Sequence, residues 1–253
     1  MDYWKEKIAI VTGASAGIGA QILVDLAKAG LTVIGLARRI DRIHTLAEEN
    51  KNVAGKIFAH QYDISCADSI KATFDWITAT FGKVHIIINN AAAPTKPGET
   101  LSPDLPHEEI INAINTNLTG LIICTREAYK LMQTHEDYAY IININSVKGH
   151  VTPIVQMNFT NVYSATKFAV TNHTETIRLD LGAAGNKRIR VTSLSPGLVK
   201  TERAEKIAGP YSAFSNFVHL MPKDISDAVL YLLSTPPHVN VTELTIEPTG
   251  EVY

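Results

Sequence analysis

Tyr163 and Lys167 stand four residues apart in Tyr163-Ser164-Ala165-Thr166-Lys167, at the start of a helical pattern. Residues at i and i+4 share one helix face, so the phenol and the ammonium can address the same point. A free phenol titrates near pH ~10. A fixed cation beside it favours the phenolate and lowers that value. A phenol tuned in this way can donate or accept a proton at an alcohol or carbonyl oxygen. The pair alone does not specify chemistry, because a half-buried Tyr beside a solvated Lys is an ordinary surface arrangement.

A second chemical feature lies near the other end of the chain. Thr12-Gly13-Ala14-Ser15-Ala16-Gly17-Ile18-Gly19 follows an apolar run and opens a helical pattern. Gly13 permits a tight turn, Gly17 lets backbone approach a pyrophosphate, and Gly19 allows close helix–strand packing. The helix N-terminus then offers amides and a partial positive charge to phosphate. The next apolar run ends Gly35-Leu36-Ala37-Arg38-Arg39. A site for NAD places an acid there for the ribose 2′-hydroxyl. Ala37 occupies that point and two guanidinium groups follow, which suits the 2′-phosphate of NADP. The alternative is a solvated basic helix start. Asp63, after the third run, is placed to accept from an adenine amino group, or to cap a helix if Ser65 does not.

These residues need a scaffold, and the apolar pattern supplies one. Strands are predicted at Ile8–Thr12, Thr32–Ala37, Lys56–Tyr62, Val84–Asn89, Tyr140–Asn145, Arg190–Ser195 and Glu243–Ile246. Helices are predicted at Ile18–Ala29, Arg39–Glu49, Cys66–Phe81, Glu108–Gln133, Val162–Leu181 and Lys223–Leu233. Near-continuous apolar strands alternating with helices predict an α/β fold: a Rossmann-type, doubly wound parallel seven-stranded sheet with helices on both faces. Residues 1–253 read as a single domain without repeat or linker. The least regular stretches, Ala92–His107 and Lys200–Met221, follow strands at their carboxyl ends, where such folds bind ligands.

Composition excludes several classes. The chain has 253 residues, 45% of them hydrophobic, and a formal net charge of -2. Charges of both signs are dispersed, so no nucleic-acid groove or polybasic membrane patch is expected. The apolar runs are too short to span a bilayer. The N-terminus leads straight into a strand without a targeting pattern, which suggests a cytoplasmic protein. Cys66 and Cys124 read as reduced structural thiols. The nine histidines lack metal-ligand spacing, so no metal site is expected.

Taken together, Thr12–Gly19, Asn89-Asn90-Ala91, Ser146, Tyr163, Lys167 and Pro196-Gly197 resemble the short-chain dehydrogenase/reductase family, in order and spacing along the whole chain. The phrases Ile122–Tyr129, Ile141–Ser146 and Leu232–Pro236 are similar to insect farnesol and terpene-alcohol dehydrogenases, and to vertebrate relatives that act on ketosteroids and other carbonyls. The resemblance implies that Tyr163 is the general acid/base and that Lys167 lowers its pKa and binds the nicotinamide ribose. It implies that Ser146 positions the substrate oxygen, and that Asn117 holds a water linking Lys167 to solvent. Cofactor contacts are implied at Gly13, Ser15, Ala16, Gly17, Ile18, Gly19, Arg38, Arg39, Asp63, Ile64, Asn90, Ala91, Tyr163, Lys167, Pro196, Gly197, Val199 and Thr201. Two features depart from the family pattern. Ala92 stands where the family's Asn-Asn-Ala-Gly has Gly, and the C-terminus lacks the usual Asp-Gly-Gly.

Substrate class is read from loops. Val147, His150, Met157, Phe159, Leu198, Ile207, Tyr211 and Phe214 are expected to line a pocket beneath a lid at about 200–221. Ordinary core packing accounts equally well for about half of these apolar residues. The expectation is an NADP-preferring enzyme, with NAD as the alternative, acting on a lipophilic, terpenoid-like alcohol or carbonyl. A steroid or general carbonyl substrate is the nearest alternative, and a nucleotide-sensing binding protein is the non-enzymatic one. Family likeness also implies pairing of the long helices in a homodimer or homotetramer.

Overall fold

The computed structural model describes residues 1–93, 103–151, 161–208 and 218–251. Its strands are β1 (Ile8–Thr12), β2 (Thr32–Ala37), β3 (Lys56–Gln61), β4 (Ile86–Asn89), β5 (Ala139–Ile144), β6 (Ile189–Pro196) and β7 (Glu243–Ile246). They form a seven-stranded sheet in the order β3-β2-β1-β4-β5-β6-β7, and every pairing is parallel. The helices are α1 (Gly17–Lys28), α2 (Ile40–Glu49), α3 (Ala67–Phe81), α4 (His107–Ile114), α5 (Gly120–Met132), α6 (Asn161–Ala183), α7 (Glu202–Ala208) and α8 (Pro222–Ser234).

The strands are apolar on both faces because both faces are covered. Along β1, Ala9 and Val11 join Leu23 and Leu26 of α1 and Ile225 and Val229 of α8 in one core. Ile8 and Ile10 point the other way, into a core with Phe74 and Ile77 of α3 and Ala128 and Leu131 of α5. Alternate side chains of one strand thus feed two layers, the pattern of a parallel sheet between helices. The edge strand β3 has no fully buried residue, and its residues are correspondingly less apolar.

Strand order reverses between β1 and β4. A crevice forms at that point, outside the carboxyl ends of the strands. Thr12 and Asn90 tie the two strand ends together. The Thr12 hydroxyl accepts from the Asn90 and Ala91 amides, each at 3.0 Å, and Asn90 Nδ2 donates to Thr12 O at 2.9 Å.

One expectation needs correction. The stretch Glu108–Gln133 was expected to be one helix. It is instead α4, a π-helical turn at Asn115–Thr119, and α5. The wider turn accommodates Asn117, which is 1% exposed and has both amide atoms on the Ala93 backbone. Such turns inside helices frequently accompany functional sites. The stretch Lys200–Met221, expected to be among the least regular, carries the short helix α7 near its start. Its base is closed by backbone bonds from Lys200 N to Leu220 O and from Leu220 N to Leu198 O, both 2.8 Å. Other element boundaries differ from expectation by one or two residues, as helix and strand ends commonly do.

Candidate active site

The glycine turn lies at the carboxyl end of β1. Gly13 has φ +68°, and its amide donates to Leu36 O at 2.8 Å, which fastens the turn to β2. A Cβ on Gly19 would sit 2.5 Å from Gly13 O and 2.4 Å from Asn90 Nδ2, so only hydrogen fits there. Ser15, Ala16, Gly17 and Ile18 complete the turn and are half-buried. Ala16 is the N-cap of α1 and makes no side-chain cap, so other partners must satisfy the first-turn amides. A pyrophosphate suits this cradle.

At the next strand end, Arg38 and Arg39 are exposed. Asp63 Oδ1 accepts from the Ser65 amide at 3.0 Å and the Ser65 hydroxyl at 2.7 Å. Burial raises the Asp63 pKa, but those two hydrogen bonds and the Arg38 charge outweigh it, leaving the carboxyl below its ordinary value. Asp63 is not a helix cap: Cys66 is the N-cap residue of α3 and makes no side-chain cap. Ile64 is buried beside it.

Across the crevice, Tyr163 and Lys167 lie on the first turns of α6. Lys167 is 3% exposed and its Nζ donates to Ile144 O at 2.8 Å, where β5 ends. The same Nζ lies 5.6 Å from the centre of the Tyr163 ring. Burial, and after it the Arg203 charge, lowers the Lys167 pKa to about 7. Tyr163 hydrogen-bonds with Ser146. Burial of the phenol raises its pKa above the ordinary value, while the Arg203 charge and the Ser146 bond pull it back. Arg203, on the first turn of α7, thus adds a further cation acting on the phenol.

Ser146 caps the short 3-10 turn Val147–Gly149, and its Oγ accepts from the Lys148 amide at 3.2 Å. Asn117 Nδ2 donates to Thr166 Oγ1 at 3.2 Å, and that hydroxyl donates to Tyr163 O at 2.7 Å. The amide of Asn117 therefore connects α6 to the loop after β4 that carries Asn90, Ala91 and Ala92.

The segment after β6 forms the remaining wall. Pro196 and Val199 are buried, and Gly197 and Thr201 half-buried. A Cβ on Gly17 would lie 3.1 Å from the Thr201 methyl, so this segment faces the glycine turn. The Leu198 amide donates to both oxygens of Glu251, at 3.1 and 3.3 Å. Burial raises the Glu251 pKa, with the Leu198 bond opposing. Of the expected pocket residues, Val147 is buried and Leu198 half-buried. His150 Nε2 is 2.9 Å from Ser195 Oγ and 3.2 Å from Glu243 Oε1, which gives its ring partners on β6 and β7. Met157, Phe159, Tyr211 and Phe214 lie outside the described residues, as does the side chain of Ile207.

The sequence left Thr12, Thr166, Arg203 and Glu251 unassigned. Thr12 had a signal in its place beside the glycine turn. The others did not, because their partners lie far away in the chain. Among the described residues, His85, His135 and Asp137 have ligand-type atoms within 4.8 Å of one another. This group lies by the amino end of β4, away from the crevice. His85 Nδ1 accepts from the Ile8 amide at 3.0 Å, so the proton of the neutral ring sits on Nε2, facing Asp137 at 3.1 Å. Lys7 also pairs with Asp137 at 2.8 Å. These contacts describe a structural network.

A parallel sheet with a glycine cradle at its switch point and a Ser-Tyr-Lys group opposite defines a dinucleotide-dependent oxidoreductase fold. Residues 7–211 match the short chain dehydrogenase family, and the chain belongs to it. It is 41% identical to the farnesol dehydrogenase of Aedes aegypti, with both chains covered completely. It is 38% identical to the human dehydrogenase/reductase SDR family member 11, covering all of this chain and 98% of the relative. Among solved structures, a serine dehydrogenase complexed with NADP+ superposes with TM-score 0.82 at 31% identity, covering 97% of this chain and 96% of the other. An actinorhodin polyketide ketoreductase with NADPH gives 0.81 at 26%, with 96% of each chain covered. The protein is therefore an alcohol/carbonyl oxidoreductase of this family. Among the described residues, no helix is long and apolar enough to cross a membrane.

Proposed function

We propose that this protein is an NADP-preferring alcohol dehydrogenase/carbonyl reductase that interconverts a lipophilic, terpenoid-like alcohol and its aldehyde or ketone. The observation that carries this reading is the meeting of Tyr163, Ser146 and Lys167 across from the glycine turn. The likeness to a farnesol dehydrogenase supports the substrate class.

The glycine turn fits the pyrophosphate of a nicotinamide dinucleotide, which when bound supplies the hydride donor or acceptor. Gly13, Ser15, Ala16, Gly17, Ile18 and Gly19 hold its phosphates, Asp63 and Ile64 its adenine, and Arg38 and Arg39 a 2′-phosphate. Asn90, Ala91, Pro196, Gly197, Val199 and Thr201 shape the nicotinamide end. Ser146 donates to the substrate oxygen and fixes its position. Tyr163 gives its phenolic proton to that oxygen in reduction and accepts it in oxidation. Lys167, neutral or charged near pH 7, binds the nicotinamide ribose and exchanges a proton with solvent along the side of the crevice held by Asn117.

The test is a panel of terpenols, steroids and short alcohols with their carbonyl partners, followed by nicotinamide absorbance with NADP and with NAD. Tyr163→Phe removes only the transferable proton, so turnover falls by roughly 10²–10⁴-fold while cofactor affinity is kept. Near-normal kcat in that variant would refute the role of the phenol.

A further inference from the structure

Glu202 opens α7 and reaches across to the start of α2. Its carboxylate pairs with Arg42, with Nη1 at 2.5 Å from Oε2 and Nη2 at 3.4 Å from Oε1. Arg39 Nη1 lies 3.7 Å from Oε1, and Lys206 Nζ lies 2.6 Å from the same oxygen. Arg39 is the N-cap residue of α2 and Arg42 lies in its first turn. Cations there oppose the helix dipole, and Arg39 provides no side-chain cap to the first-turn amides. Two guanidinium groups on the positive end of a helix make a seat for an anion, and a fork of donors matches phosphate as well as carboxylate. The seat adjoins the adenosine end of the crevice, since Arg39 lies between the end of β2 and the start of α2 and the glycine turn is bonded to β2 at Leu36.

We propose that Arg42 completes, with Arg39, a 2′-phosphate seat in which Glu202 stands as an internal competitor. A 2′-phosphorylated dinucleotide then has to displace the Glu202 carboxylate, and an unphosphorylated one does not. The inference rests on the NADP reading above and extends it to two residues with no assigned role. It makes cofactor preference a balance between α2, which attracts the phosphate, and α7, which opposes it. All three groups are partly exposed, with side-chain exposures of 51%, 46% and 36% for Arg39, Arg42 and Glu202, so the pairing is weak enough to exchange.

The experiment measures KM for NADP and NAD, and calorimetric binding of 2′,5′-ADP and 5′-ADP, in wild type, Glu202→Gln and Arg42→Gln. With the competitor removed, Glu202→Gln is expected to bind 2′,5′-ADP and NADP about three- to tenfold more tightly, with NAD and 5′-ADP changed less than about twofold. Arg42→Gln is expected to weaken NADP and 2′,5′-ADP by about tenfold, again sparing the unphosphorylated pair. If Glu202→Gln weakens all four ligands, or leaves 2′,5′-ADP unchanged, Glu202 is a strap between α7 and α2 and the inference is overturned while the NADP reading stands. If wild type itself binds 2′,5′-ADP no better than 5′-ADP, the NADP reading fails and takes the inference with it.

Discussion

Replacing Lys167 by Met should stabilise the protein while destroying its activity. The Lys167 ammonium is 3% exposed, and its Nζ donates to Ile144 O. Burial moves its pKa from 10.5 to about 7. That interval corresponds to on the order of 5 kcal/mol against the charged form, at about 1.36 kcal/mol per pH unit. Below pH 7 both folded and unfolded chains carry the proton, and the folded state bears the whole penalty. Between about 7 and 10.5 the unfolded chain holds more protons than the folded one, so this group makes stability rise with pH. Above 10.5 the penalty is gone. Met removes the charge at similar length, but it leaves Ile144 O without its donor, which costs about 1–3 kcal/mol. The net gain at pH 6 is therefore roughly 2–4 kcal/mol, or about 5–15 °C in Tm for a chain of this size. The assay is thermal unfolding of wild type and variant from pH 6 to 9, with turnover measured alongside. The difference in Tm should be largest at pH 6 and shrink as pH rises. A variant that melts no higher than wild type at pH 6, with a difference independent of pH, would refute the claim that Lys167 is held in place against its own stability. The proton-exchange role would then lose its physical basis.

Arg38→Ala should raise the KM for NADP roughly ten- to a hundredfold, the loss of a charge-assisted hydrogen bond of about 1.5–3 kcal/mol, with little effect on NAD. Ala37→Asp should shift preference towards NAD, and equal effects on both cofactors would show the arginines to be surface charges. Phe214→Ala should raise KM for a long terpenol more than for a short alcohol. An unchanged chain-length preference with a large fall in Tm would make that residue core packing, whose truncation costs roughly 3–5 kcal/mol. Ile111 of α4 and Phe168 and Leu179 of α6 are 55%, 41% and 55% exposed, and the two helices are neighbours. An isologous homodimer through this face is expected by sedimentation at micromolar concentration, with Phe168→Glu and Leu179→Glu together giving monomer. A wild-type monomer would overturn it.

Sequence determined what periodicity and local chemistry can encode. The inner strands were legible as apolar runs and the edge strands β3 and β7 as mixed ones, and the glycine cradle because positive φ and close packing both demand glycine. The four-residue spacing of Tyr163 and Lys167 placed them on one helix face before any contact was known. Tertiary structure decided what depends on residues far apart in the chain. The π turn at Asn117 coincides with two hydrogen bonds to Ala93, 24 residues away, which leave no mark on helical periodicity. Glu251 holds the Leu198 amide from 53 residues downstream, and Glu202 meets Arg42 across 160. A charge that acts on the Tyr163 phenol comes from Arg203, far along the chain, and burial lowers the pKa of Lys167 itself. Spacing along a helix fixes which side chains can meet; desolvation, which only the folded chain creates, fixes what charge they carry when they do.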